Sequence, residues 1–163
     1  MDFSFSSEQT LLQDSVERFI QNDYGFDQRR KLTGSELGFS KEHWSHFAEL
    51  GWLGLPFAEE DGGFGGSAID TMIVMEAFGK GLVVEPYVST VLMAGSALAH
   101  SGTTAQKESD LAAIIGGEAQ ASLAYIEPQA RFNLNHVLTR TVPDGSDWVI
   151  NCFKVEVLGE PSQ

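Results

Sequence analysis

Residues 116–128 read Gly-Gly-Glu-Ala-Gln-Ala-Ser-Leu-Ala-Tyr-Ile-Glu-Pro, and the chain changes character across them. Upstream, apolar residues recur at helical spacing; downstream they alternate with polar ones. Gly116 and Gly117 end the last helical stretch. Ala121 to Ile126 is a short apolar run closed by Pro128, the first strand signal. The expected fold is mostly α: a helical domain over 1–118, followed by a short, incomplete β-sheet segment over 119–163.

Reading back from that point, Thr103 or Thr104 caps the last helix, which buries Leu111, Ile114 and Ile115. Glu85-Pro86 starts the helix before it, since proline suits a first helical turn. That helix carries Val88, Val91, Leu92, Gly95 and Leu98 and stops near Gly102. Ser67-x-x-Asp70 opens another, through about Phe78, with Ile69, Met72, Ile73 and Ala77 as its apolar face. Residues 51–66, GWLGLPFAEEDGGFGG, are the most irregular part, because their glycines and Pro56 prevent a continuous helix. Ser40 caps a helix bearing Trp44, Phe47 and Ala48 that stops at Gly51. Tyr24 to Phe39, with Gly25, Gly34 and Gly38, reads as loop or broken helix. Ser6-x-x-Gln9 is a capping box, and behind it Leu12, Val16, Phe19 and Ile20 line one helix face.

Reading forward, Val137 to Val142 alternates, 143–147 is a turn sequence, and Trp148 to Val157 continues as a strand. With Ala121 to Ile126 that makes about three strands, a marginal sheet unless something covers it.

Composition excludes several function classes. The 163 residues carry 23 acidic and 10 basic side chains, a formal net charge of −13. Nothing here could neutralise a row of phosphates, so no nucleic-acid partner is expected. Hydrophobic residues at 42% and charged residues at 20% suit a globular protein. Cys152 is the single cysteine, which rules out an internal disulfide. It reads as a small strand residue rather than a nucleophile. No apolar stretch approaches the roughly 18 residues of a membrane span, and Met1-Asp2-Phe3-Ser4 lacks the basic and apolar regions of a signal peptide. The expected location is the cytoplasm.

Local chemistry signals are sparse. His43 and His46 can share a helix face, but no further ligand cluster completes a metal site, so none is assigned. Glu59-Glu60-Asp61 reads as a solvated acidic turn. No G-x-S-x-G is present, and the glycines at 62, 63, 65 and 66 lack the lysine and hydroxyl residue of a P-loop. They follow no expected strand either, so a dinucleotide fingerprint fails.

Ordered segments carry a resemblance. Asp2-Phe3-Ser4-Phe5-Ser6-Ser7-Glu8-Gln9 with Leu11-Leu12, then Leu50-Gly51-Trp52-Leu53-Gly54-Leu55-Pro56 and Glu59-Glu60-Asp61-Gly62-Gly63, are similar to the opening and main N-terminal motif of acyl-CoA dehydrogenases. Met75-Glu76-Ala77-Phe78-Gly79, Gln106-Lys107 and Gly116-Gly117-Glu118 resemble the helices that follow. Ala124-Tyr125-Ile126-Glu127-Pro128 stands at the family's "T-E-P" strand. Trp148-Val149-Ile150-Asn151-x-x-Lys154 resembles its "W-x-[IL]-N-G-x-K" hairpin.

The resemblance implies an acyl-CoA dehydrogenase-type N-terminal helical domain and the start of a β-domain. It implies FAD as cofactor, an acyl-CoA as substrate in fatty acid metabolism, and a homo- or hetero-oligomer with a dehydrogenase subunit. The family's glutamate base lies in a C-terminal domain and has no counterpart here, so no catalytic residue is assigned and Glu127 is not promoted to that role. Backbone groups around Leu123, Tyr125 and Ile126 are the candidates for flavin contact. Ser89, Thr90 and Met93 are the candidates for acyl contact, with ordinary strand or helix packing as the alternative for all six.

The site positions also depart from the family. Gln129-Ala130-Arg131-Phe132-Asn133 replaces Gly-x-Gly-Ser-Asp, Ile126 replaces a threonine, and Glu156 and Leu158 stand where an aromatic residue and a threonine commonly meet the flavin. A carboxylate there disfavours the extra negative charge of reduced flavin. The expectation is a truncated or divergent subunit, inactive alone. The alternative is a non-enzymatic helical module that docks on a complete dehydrogenase subunit.

Overall fold

The computed structural model describes residues 4–158; Met1, the Asp2 and Phe3 of the opening motif, and residues 159–163 lie outside them. Helix α1, Ser7–Asp23, starts at a reciprocal capping box between Ser6 and Gln9. Each side chain there satisfies a backbone N–H that the helix cannot. Helix α2 is Phe26–Thr33, where the sequence suggested loop or broken helix. Gly25 and Gly34 bound this helix rather than break it, with Asp27 in its first turn and Arg30 and Lys31 in its last, matching the helix dipole.

Helix α3, Lys41–Glu49, is capped by Ser40 and closed by Gly51 in the left-handed region. The N–H groups of Gly51 and Trp52 donate to the Ala48 and Phe47 carbonyls, a Schellman ending. The turn over 51–66 then folds back on itself so tightly that a side chain at Gly63 would collide with the Phe57 backbone.

Helix α4, Ala68–Gly81, has a Ser67–Asp70 capping box and packs along α1. It buries Ile73, Val74, Ala77 and Phe78. Ile69 and Met72, expected on the buried face, are about half exposed. A helix apolar nearly all round gives periodicity no face to choose, and packing against α1 decides.

A wider-wound stretch, Val88–Gly95, runs into helix α5, Ser96–Ser101. Helix α6, Thr104–Gln106, is capped by Thr103 and continues through the wider-wound Lys107–Leu111 into helix α7, Ala112–Ile115. Gly117 and Glu118 close α7 with a second Schellman ending, donating to the Ile114 and Ala113 carbonyls. Among the described residues, no helix is long and apolar enough to cross a membrane.

The helices close on an aromatic core. Phe19 lies edge-on to Phe47 and Trp52, while Phe47 stacks on Phe78 with ring centroids 5.0 Å apart. Such pairs add to the stabilisation from burial alone.

Strands β1, Arg140–Asp144, and β2, Asp147–Asn151, form one antiparallel hairpin in which every residue is exposed. The third expected strand does not form. Residues 121–126 take no regular secondary structure, and no other described segment lies alongside to complete a ladder. The segment is tied at its ends, by Thr90 to Ala121 and by the Val155 N–H to the Ile126 carbonyl.

Candidate functional site: an apolar cleft beside the α4–α5 connector

A cleft of about 690 Å³ opens between the end of α4, the connector over 82–87 and the loop over 37–41. Leu37, Phe39, Met75, Val83, Val84 and Val88 give it apolar walls. Its size and lining are those of a small-molecule site.

A polar network behind the wall holds the connector in place. The Tyr24 hydroxyl donates to Glu85 Oε2 at 2.7 Å and accepts the Val84 N–H at 2.9 Å. Glu85 Oε1 lies 3.3 Å from the Ser40 N–H, which donates to it, and 3.3 Å from His43 Nδ1. Glu85 is among the residues that line the cleft, and its fully buried side chain braces that wall. Arg29 Nε donates to the Leu82 carbonyl, and the Tyr87 hydroxyl donates to the Trp52 carbonyl. Burial first, and the Glu85 contact second, push the Tyr24 hydroxyl far above its ordinary range; burial does the same to Tyr87.

The backbone of this wall carries strain. Leu82 has φ +51°, a left-handed conformation that costs a leucine roughly 1–2 kcal/mol. It sits on the cleft and is half exposed. The sequence reading missed this whole network. Its one signal was a charged residue, Glu85, standing between the apolar runs at 82–84 and 86–88.

The expected site residues separate. Ser89 lines the cleft, with its hydroxyl donating to the Pro86 carbonyl at 3.2 Å. Thr90 is buried elsewhere: its hydroxyl donates to the Ala121 carbonyl and accepts the Ala121 N–H. It therefore pins the start of the segment over 121–126. Met93 is half-buried and outside the cleft. Leu123 and Tyr125 are exposed, and Ile126 is half-buried with its carbonyl taken by the Val155 N–H. Between them, the backbone groups of 122–125 have no hydrogen bond among the described residues.

Glu127, beside that segment, is saturated. It accepts from Lys154 Nζ at 2.7 Å, the Leu138 N–H at 2.7 Å, Gln129 Nε2 at 2.6 Å, the Thr139 N–H at 3.2 Å and the Thr139 hydroxyl. The Lys154 contact above all holds its carboxyl far below the usual carboxylate range. This is a staple between the segment and the hairpin, with no lone pair poised as a base.

The other weighed groups are structural. His46 meets Glu49 at the surface, and no group of three metal-ligating side chains occurs among the described residues. Asp61, expected in a solvated acidic turn, is largely buried and pairs with Lys107 at 3.1 Å. That pair fastens the 51–66 turn to the helix over 104–115.

Comparison with known proteins fits this architecture. Residues 6–118 match the family described as acyl-CoA dehydrogenase, N-terminal domain. FadE12, an acyl-CoA dehydrogenase of Mycobacterium tuberculosis, is 33% identical over 97% of this chain and 41% of its own length. YngJ of Bacillus subtilis, a probable acyl-CoA dehydrogenase, is 30% identical over 93% of this chain and 40% of its own. Among solved structures, the ChsE4-ChsE5 complex from Mycobacterium tuberculosis superposes with a TM-score of 0.81 at 28% identity, covering 95% of this chain and 39% of that one. The Tcur3481-Tcur3483 steroid ACAD superposes at 0.78 and 27% identity. The chain spans about two fifths of the length of these relatives. With the family's N-terminal domain matched over most of its residues, the chain belongs to the acyl-CoA dehydrogenase family.

Proposed function

We propose that this chain is a divergent or truncated subunit of an FAD-dependent acyl-CoA dehydrogenase assembly, supplying one wall of the acyl site and inactive alone. The observation that carries this reading is the apolar cleft, braced by the Tyr24–Glu85 network, within a chain of this family. The cleft takes the acyl group of a thioester, with Ser89 on its wall. Thr90 acts at one remove, by fixing Ala121.

The residues at the flavin-facing positions do not fit a flavin by themselves. Leu123 and Tyr125 offer backbone groups, but the Ile126 side chain has no hydroxyl and its carbonyl is already used. Lys154, which reaches the end of that segment, is committed to Glu127. Glu156 stands next to Val155, whose N–H bonds Ile126, so a carboxylate adjoins the segment. Flavin, which performs the redox chemistry in such enzymes, is therefore held by another chain or segment of the assembly.

The absorbance spectrum of the purified chain tests this. The expected result is no stoichiometric flavin band and no acyl-CoA turnover. Tight stoichiometric flavin together with turnover contradicts the proposal.

A second reading has its own support. The two solved relatives above are described as a ChsE4-ChsE5 complex and a Tcur3481-Tcur3483 protein. This chain then acts as a non-enzymatic helical module that docks on a complete dehydrogenase subunit. Co-purification with such a subunit, with no change in the subunit's turnover, selects that reading over the first.

A further inference from the structure

The Glu85 side chain has no access to water. A buried carboxylate needs a counter-charge, or enough donors to replace its hydration. The Tyr24 hydroxyl and the Ser40 N–H supply two neutral donors, one to each oxygen. Among the described residues, His43 is the one side chain able to carry a positive charge that pairs with Glu85, through Nδ1 at 3.3 Å. Arg29 of α2, whose charge also reaches Tyr24, spends its Nε on the Leu82 carbonyl. His43 also meets solvent. Its side chain is 16% exposed and packs against the rings of Phe19 and Tyr24, with centroids 5.4 and 5.3 Å away. It lines a shallow surface cavity together with Asp23 from α1 and Glu42, His46 and Glu49 from its own helix. Apart from His46, itself paired with Glu49, those titratable groups carry the same sign as Glu85. A proton can therefore pass between bulk water and the partner of the buried carboxylate without any opening of the core.

We propose that His43 is a proton-operated latch on the cleft wall. Histidine is the side chain that ordinarily changes charge near neutral pH. Protonated, His43 gives Glu85 its counter-charge. Glu85 in turn holds Ser40 and Tyr24, and Tyr24 holds the Val84 N–H. Neutral, His43 keeps its proton on Nδ1, because a carboxylate oxygen only accepts; it still donates, but without the charge. The buried carboxylate is then left with neutral donors alone, and the connector over 82–87 opens more readily. The left-handed Leu82 backbone is the strained point from which that opening starts. Bracing is complete below the histidine range and fades as pH rises through it. Every group of the latch lies between residues 19 and 87, within the helical body. The latch acts on the wall whether or not an acyl group occupies the cleft, so its test involves neither flavin nor turnover.

Hydrogen exchange of the 163-residue chain tests it, read by NMR at the Ser40 and Val84 amides from about pH 5.5 to about pH 8. Protection is taken relative to the free-peptide rate at each pH. It is expected to fall about fivefold at both amides as pH rises, the difference between a charged and a neutral donor to one acceptor. The fall shares its midpoint with the ring signals of His43, and the neutral ring carries its proton on Nδ1. His43→Gln, which can donate but carries no charge, holds protection at the high-pH level throughout. His46→Gln leaves the fall as it is in the wild type. In the wild type alone, protection independent of pH, a midpoint that does not follow the His43 ring, or a neutral ring protonated on Nε2 overturns the proposal. A fall that survives in His43→Gln, or disappears in His46→Gln, overturns it as well.

Discussion

The three tryptophans divide the molecule. Trp44 and Trp52 are buried in the helical body, while Trp148 stands in water on the hairpin. Residue type does not set this difference; a second layer does. Helices α1, α3 and α4 give one another apolar faces to cover, whereas among the described residues both faces of the β1–β2 hairpin are open. The helical body is held by packing. The hairpin is held by a polar staple, the five donors that converge on Glu127.

Substitutions can break that contrast, most strongly in the core. Phe47→Ala removes a ring in contact with Phe19, Trp52 and Phe78 and is expected to cost about 3–5 kcal/mol in urea unfolding. Tyr24→Phe leaves Glu85 Oε2 and the Val84 N–H without their partner and is expected to cost about 1–3 kcal/mol. Its signature is loosening of the connector over 82–87, read by hydrogen exchange.

Glu127→Gln acts on the other region. It is expected to speed exchange of the Leu138 and Thr139 amides on the order of tenfold while leaving the thermal midpoint of the helical body in place. Trp148→Ala, in dilute protein, is expected to shift stability by less than about 0.5 kcal/mol. A loss as large as that of Phe47→Ala would mean the hairpin is covered after all.

The two regions also respond to opposite ends of the pH scale. Glu127 has a lowered folded value, so its contribution is complete above the unfolded carboxyl range near 4.3 and fades as pH falls through and below it. Tyr24 has a raised folded value, so the folded state prefers its neutral form and stability falls as pH rises above about 10. Acid is therefore expected to release the hairpin first, and alkali the cleft wall. Residue-resolved exchange at the two extremes checks the order.

What was legible in the sequence follows the same division. The caps at Ser6, Ser40, Ser67 and Thr103 and the stops at Gly51 and Gly117 were readable because their partners lie within a few residues. The buried face of α4 was not, since Ile69 and Met72 are as apolar as the Val74 and Phe78 that are buried in their place. Helix α2 was not legible beyond loop or broken helix, because Gly25 and Gly34 read equally as breakers and as helix ends. The site was harder still. Glu85 meets Tyr24, Ser40 and His43 from 42 to 61 residues away, and Glu127 meets Lys154 from 27. Neither separation leaves a local pattern. The resemblance pointed to Ser89 and Thr90 but not to their different places, because only the folded backbone puts Ala121 against Thr90 and Ser89 on the cleft.

The central claim is that a packed helical body carries a β hairpin that no other described residues cover. Native-state hydrogen exchange by mass spectrometry, on dilute protein at neutral pH, tests it most directly. Amides of α1 and α4 should exchange only through global unfolding, while the ladder amides of Val142 and Val149 exchange orders of magnitude faster through local opening. Equal protection in the two regions would contradict the account.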